Sequence, residues 1–378
     1  VANPPSSQNR KDALVLPAGG ARAAYQVGAL RYVARNFPEF DPRIFTGISA
    51  GSINCCFLAQ GEPFTESTEK LYTLWSDLTF DRVFRTNFRS LFAMGMRWIY
   101  DLFLSKVSNR LLLRSMLDAS PLSYTLLEHI HFWKITKAIR AGRVQGLAVT
   151  ATNYHTGSAT VFFDAPEHVK AWRREMRVAE RTSIRVRHIM ASCSIPILFE
   201  PIRIGSYLFG DGSMRFNFPF SPAIHLGATH ILSISIRAQK PVDALGYRPD
   251  QVGLGFVAGA VLNSIFLDSL EQDFESLQRM NEIQSERVRP VQALVIRPSE
   301  DPANIARQFR KELPFHLRQL LGATGSPNEL GDLLSYLLFS PGYLRALLDL
   351  GERDAASQHD RIKSALQLAG QMPSSIKA

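Results

Sequence analysis

The chain has little cysteine: three in 378 residues, Cys55, Cys56 and Cys193. Sequence neighbours such as Cys55 and Cys56 rarely bond to each other, so no disulfide framework is expected and the usage suits a reducing compartment. The Cys and His positions lack metal-ligand spacing, so no metal site is expected, and nothing asks for a cofactor. No Gly-x-Gly-x-x-Gly run is present, which argues against a dinucleotide-binding turn. A stretch of about eighteen uncharged apolar residues is also missing, so no spanning helix is expected. Residues 251 to 267 come closest, but three glycines, Asn263 and the acidic residues that follow favour a packed or surface helix. Val1 to Lys11 lacks the apolar core of a secretory signal, although a start at Val1 leaves room for an earlier segment having been removed. The expected location is the cytoplasm, either free or peripheral at the inner face of a membrane. Acidic residues are the scarcer charge, 34 against 43 basic, for a net charge of +9 and a pI near 9.6. That balance favours an anionic partner and leaves nucleic acid and membrane surface both open.

What is present reads as a folded chain, with 46 % apolar and 20 % charged residues. Ala13 to Pro17 is a short apolar run that ends in Gly19-Gly20 and leads into a helical pattern from Arg22 to Asn36. The same strand, turn and helix recur in Arg43 to Ile48, Ser49, and Ile53 to Ala59. Further strands are expected at 146–152, 159–163, 207–209, 230–236 and 291–296. Apolar strands alternating with helices imply a mainly parallel sheet covered on both faces. An α/β core is therefore expected over about 12–240, with a mostly helical region, 241–378, packed on it. No repeat of solenoid period is visible.

Gly47-Ile48-Ser49-Ala50-Gly51 matches the nucleophile elbow, a serine on a strained strand-to-helix turn. Side chains at Gly47 and Gly51 are expected to collide across so sharp a turn. By itself the pentapeptide reads equally as a serine N-cap between small residues. The ordinary α/β-hydrolase fold places several strands before its elbow, so a serine at position 49 calls for a different fold. Ala18-Gly19-Gly20-Ala21-Arg22 is a loop of small residues whose N–H groups can converge on an oxyanion, with Arg22 adding positive charge. Asp211-Gly212 follows Tyr207-Leu208-Phe209; the dipeptide alone is a turn signal, but a carboxylate at a strand end is where functional groups collect.

Together these pieces resemble the patatin-like phospholipases over most of 13–237. The resemblance includes Thr46-Gly47-Ile48-Ser49-Ala50-Gly51-Ser52-Ile53-Asn54, Ala191-Ser192-Cys193-Ser194-Ile195-Pro196 and Asp211-Gly212-Ser213. It implies a three-layer α/β/α sandwich with a mainly parallel sheet, here with a helical C-terminal extension, and acyl-ester hydrolysis by a Ser–Asp dyad. Carried over, Ser49 is the nucleophile and Asp211 the base. Gly19, Gly20, Ala21, Arg22 and Ala50 form the oxyanion site, and Gly47 and Gly51 shape the elbow. The chain departs from the family pattern at Ala18 and Ala23, where the loop usually has glycine, and at Ser213, where the third residue is usually Gly or Ala.

The implied substrate is a phospholipid or another acyl-ester lipid. An acyltransferase using the same acyl-enzyme, and a catalytically silent lipid-binding scaffold, remain open from sequence. His188, His225 and His230 are the nearest candidates for a triad, each reading better as a surface or capping residue. Residues 81–140 are expected to be helical, as a lid or a membrane-facing insertion. Within them, 81–115 carries seven basic residues against Asp81 and Asp101, interleaved with Phe84, Phe88, Phe92, Trp98, Tyr100 and Phe103, as an anionic membrane surface would favour. A second basic stretch, Lys170, Arg173, Arg174, Arg177, Arg181, Arg185 and Arg187, has no nucleic-acid reading motif, and nucleic acid is not expected as a partner.

Overall fold

The computed structural model describes residues 10–85, 117–196, 198–238, 253–283, 289–322 and 330–367. The basic, aromatic segment 81–115 therefore lies outside the described residues from 86 onward. Among the described residues ten strands are formed: β1 (Asp12–Leu16), β2 (Ile44–Ile48), β3 (Gly146–Asn153), β4 (Ala159–Asp164), β5 (Arg173–Arg174), β6 (Arg177–Arg181), β7 (Ile202–Ile204), β8 (Tyr207–Asp211), β9 (His230–Ile234) and β10 (Gln292–Ile296). They make one sheet in the order β10-β9-β1-β2-β3-β4-β6-β5, with β8 paired to β3 and β7 to β8. From β10 to β3 the sheet is parallel. Every residue of β2 and β3 is buried, as a strand covered on both faces requires.

Three strands fall outside those expected from the sequence. β5 and β6 are built largely from arginines of the second basic stretch, and they form the edge of the sheet. Charge on an edge strand blocks pairing with another chain, so this composition is compatible with a strand that has one free side. β7 is only three residues long and is held by β8.

The helices are α1 (Ala23–Asn36), α2 (Ala50–Leu58), α3 (Phe64–Ser76) and, further along, mainly Ser120–His129, Phe132–Arg140, Val186–Ser192, Leu254–Glu282, Gly331–Leu337 and Pro341–Ser357. A buried polar chain ties the first three to the sheet. Gln26 donates to the carbonyl of Pro17 at 2.9 Å, Asn54 donates to Gln26 at 3.1 Å, and the Trp75 indole donates to Asn54 at 2.8 Å. Each buried polar group thereby finds a partner, which avoids the cost of stranding it. Pro341–Ser357 crosses α1 at two glycines: a Cβ on Gly28 would lie 1.9 Å from the Leu348 carbonyl oxygen, and one on Gly351 would lie 2.3 Å from that of Tyr25. The stretch 251–267 falls, from Leu254, on the 29-residue helix Leu254–Glu282. Among the described residues no helix is long and apolar enough to cross a membrane.

Candidate active site

Ser49 joins β2 to α2 with φ 51° and ψ −129°. Such a backbone costs about 1–3 kcal/mol for a residue with a side chain and persists only where its surroundings enforce it. Gly47 is required across the turn itself, since its Cβ would meet the Gly51 carbonyl at 2.5 Å. At Gly51 the sequence expectation needs correcting. The collision there is with β1, whose Leu16 carbonyl oxygen would lie 2.2 Å from the added Cβ, so this glycine lets α2 approach the neighbouring strand.

The turn is pinned from a distance. The Ser49 N–H donates to Ser192 Oγ at 2.8 Å, and Ser192 Oγ donates to the Thr150 carbonyl at 2.6 Å. The Ser49 carbonyl accepts from the N–H of Ser52 at 2.8 Å and from its hydroxyl at 2.6 Å. Ser192 belongs to the Ala191 to Pro196 stretch, for which the sequence offered no role.

Strand register brings Asp211 to this serine. Ile48, the last residue of β2, faces Thr150 on β3. One step further along β3, Ala151 faces Asp211 on the antiparallel β8. Since β4 occupies the other side of β3 over these residues, β8 takes up the place that β2 vacates when the chain turns at Ser49. Asp211 is further held by its N–H, which donates to the Ser194 carbonyl at 2.8 Å, and by Thr152, whose hydroxyl donates to the Asp211 carbonyl at 2.8 Å. Gly212 is needed because a Cβ there would lie 2.2 Å from the Thr150 carbonyl oxygen.

The Asp211 carboxyl is completely buried, and burial pushes its pKa up to about 6. Opposing this are the hydroxyl and N–H of Ser213, which both donate to Oδ1, and the hydroxyl of Ser49. Oδ2 itself has no hydrogen-bond partner. The Ser49 hydroxyl is thus close enough to act on the carboxyl without making a formed hydrogen bond to its free oxygen. The buried thiol of Cys193 also feels Ser49 and Asp211, and burial drives its pKa well up.

Ser49, Ala50 and Gly20 open on a cleft whose walls are otherwise mostly apolar, including Ile53, Leu74, Leu122, Leu126, Met190 and Phe199. Tyr336, Leu337 and Phe339 close it from the C-terminal region, a contribution with no sequence signal. Gly20 has φ +51°, and a Cβ on it would lie 2.4 Å from the Tyr336 carbonyl oxygen.

Arg22 corrects the reading of the loop. Its guanidinium is buried and takes no part in the cleft wall, donating to Ser335 at 2.7 Å and Asp332 at 3.0 Å, with its carbon 4.2 Å from the Tyr336 ring centre. It anchors the loop to helix Gly331–Leu337, and Gly19 and Ala21 likewise stay out of the cleft lining. The histidines named from sequence lie elsewhere: His188 caps its helix through the Arg185 N–H, His225 bonds Ser221 and stacks on Trp172, and His230 bonds Thr229. No described histidine side chain is hydrogen bonded to Ser49 or Asp211. His129, not singled out in the sequence, does line the cleft, with Nε2 unpartnered by hydrogen bonds and 3.8 Å from Glu128.

The family model for the patatin-like phospholipases matches residues 14–224, and the chain belongs to that family. It is similar in structure to human GIVD cytosolic phospholipase A2 in complex with methyl gamma-linolenyl fluorophosphonate, at 13 % identity and TM-score 0.44, over 96 % of this chain and 60 % of that one. It is also similar to VipD from Legionella pneumophila, at 11 % identity and TM-score 0.40, over 94 % and 68 % respectively. A third likeness is to the ExoU–SpcU complex of Pseudomonas aeruginosa, at 14 % identity and TM-score 0.31, over 83 % and 52 %. The chain thus spans 60 % of the length of the human enzyme. No curated protein matched it.

Proposed function

We propose that this chain is a lipid acyl hydrolase that cleaves carboxylic esters through an acyl-Ser49 intermediate, with Asp211 as the only proton-transfer partner. The observation that carries the reading is a serine strained on its elbow and lining an apolar cleft, paired with a buried carboxyl that has one oxygen free. Ser49 Oγ attacks the ester carbonyl carbon and its proton passes to Asp211 Oδ2. The negative charge on the carbonyl oxygen is met by backbone N–H groups at Gly20 and Ala50, at the start of α2, where the helix dipole also favours it. On collapse, the alcohol leaves with the proton from Asp211. Water then attacks the acyl carbon, Asp211 takes a proton from it, and returning that proton to Ser49 frees the fatty acid.

The apolar walls suit an acyl chain, whose burial is favoured by about 0.8 kcal/mol per methylene. By composition, segment 81–115 is assigned to an anionic membrane surface. Purified protein assayed on short- and long-chain acyl esters, with Ser49→Ala as control, tests the proposal by product analysis. Free fatty acid in the parent alone is expected. Transfer of the acyl group to an added alcohol in place of fatty acid would make it an acyltransferase, and no turnover or acyl-enzyme would leave a lipid-binding scaffold.

A further inference from the structure

The basic stretch around 170–187 plays no part in the chemistry at Ser49. In the fold its first arginines make an edge hairpin, with β5 last in the sheet and Arg174 facing Arg177. Register decides which end of the sheet this hairpin turn occupies. β3 runs parallel to β2, so Thr152 and Asn153 lie at the end where β2 delivers Ser49. Thr152 faces Ala159, and Ala159 faces Arg177, which carries the turn between β5 and β6 to that same end. Phe209 faces Asn153, so Tyr207, two residues earlier on β8, lies further out in the same direction.

Four large apolar side chains are exposed here: Tyr154 (37 %), Met176 (52 %), Tyr207 (47 %) and Phe218 (42 %). Local contacts tie them to neighbouring residues of this same end. Met176 Cε is 4.0 Å from the Cβ position of Gly157, and the His155 ring stands edge-on to Tyr207 at 5.5 Å. The Tyr154 hydroxyl is 3.8 Å from Met214 Sδ, and Arg177 lies 4.2 Å over the Phe218 ring. Arg173, Arg174, Arg203 and Arg215 are exposed around them, Arg203 facing Leu208 beside Tyr207 and Arg215 following Met214. Neither these four arginines nor Arg177 forms an ion pair among the described residues, although Glu175 stands in the turn beside them.

We infer that this end-face is a further surface, besides segment 81–115, by which the protein docks to an anionic lipid bilayer. The arginines meet lipid phosphates, and Tyr154, Met176, Tyr207 and Phe218 enter the head-group layer. Unpaired cations alone would suit a polynucleotide equally. The exposed apolar side chains among them, at the end of the sheet that carries Ser49, favour lipid, and the choice of occupant rests on the proposed acyl-ester chemistry.

The test uses Ser49→Ala protein, which removes the nucleophile, sedimented with vesicles of phosphatidylcholine and of an equimolar phosphatidylcholine–phosphatidylglycerol mixture. Binding to the mixed vesicles is expected, falling with salt. Arg173→Glu with Arg174→Glu should weaken it by about tenfold or more, since each basic residue near an anionic leaflet contributes severalfold. Tyr207→Ser with Phe218→Ser should weaken the part that survives high salt, with melting temperatures of both variants showing that they fold. Undiminished binding in both folded variants overturns the inference, as does no binding to either vesicle. Binding to a DNA oligonucleotide that the arginine variant loses, with vesicles ignored, would make the surface a polynucleotide site. Turnover of a water-soluble short-chain ester by the same variants with Ser49 restored tests the chemistry separately: a protein inactive on that ester yet still bound to vesicles overturns only the hydrolase reading.

Discussion

Ser213 donates both its backbone N–H and its hydroxyl to Oδ1 of Asp211, and leaves Oδ2 without a partner. One oxygen of the carboxyl is fixed and the other is left for proton transfer. The hydroxyl also holds the Asp211 pKa down against burial. Ser213→Ala should therefore move the acid limb of the kcat/KM profile to higher pH, with a smaller effect on the plateau. An unshifted limb would show that the hydroxyl does not tune this carboxyl.

Asp211→Asn should lower turnover by orders of magnitude while His129→Ala, which alters the imidazole that lines the cleft, should keep most of it. Steady-state kinetics on a soluble ester distinguishes the two. A folded His129→Ala protein as inactive as Ser49→Ala would replace the dyad with a triad.

The raised pKa of Asp211 links activity to stability with opposite signs. As a base the carboxyl must be ionised, so kcat/KM should fall as pH drops through about 6. For the fold, a pKa raised from 3.8 to about 6 means a contribution fully present below 3.8 and lost as pH rises through about 6. At neutral pH the buried charge costs up to about 3 kcal/mol. Asp211→Asn is accordingly expected to unfold at higher denaturant concentration than the parent at pH 7, with the gain fading on acidification. A variant no more stable than the parent at pH 7 would contradict the raised pKa.

Gly20→Ala places a methyl group 2.4 Å from the Tyr336 carbonyl oxygen on a backbone of positive φ. Shifting the loop should misdirect the N–H groups assigned to the oxyanion, at a cost on the order of 10²–10³ in turnover. Near-parental kcat in a folded Gly20→Ala protein would place the oxyanion donors elsewhere.

Gly28→Ala tests the seam between α1 and Pro341–Ser357. The added carbon would lie 1.9 Å from the Leu348 carbonyl oxygen, a backbone atom that cannot rotate away. A destabilisation of about 1–3 kcal/mol is expected despite the better helix propensity of alanine. Chemical denaturation measures it, and a more stable variant would mean that the two helices are free to separate.

The sequence by itself determined what depends on neighbouring residues. Continuous apolar runs mark β1, β2, β3, β9 and β10, because a parallel strand is buried on both faces and announces it along its own length. The elbow is legible for the same reason at Gly47, which Gly51 and Ser52 confine across the turn, whereas Gly51 is confined by Leu16 of β1. Arginine-rich β5 and β6 were not legible, because they carry no apolar run and only pairing, of β6 with β4 and of β5 with β6, makes them strands. Only the tertiary structure decided that β8 replaces β2 beside β3 and so delivers Asp211 to a serine 162 positions earlier in the chain. It also turned Arg22 away from the cleft, because Asp332, Ser335 and Tyr336 offer its buried charge an ion pair, a hydroxyl and a ring. Those partners lie some three hundred residues downstream, where no local pattern couples them to the loop; packing and desolvation do.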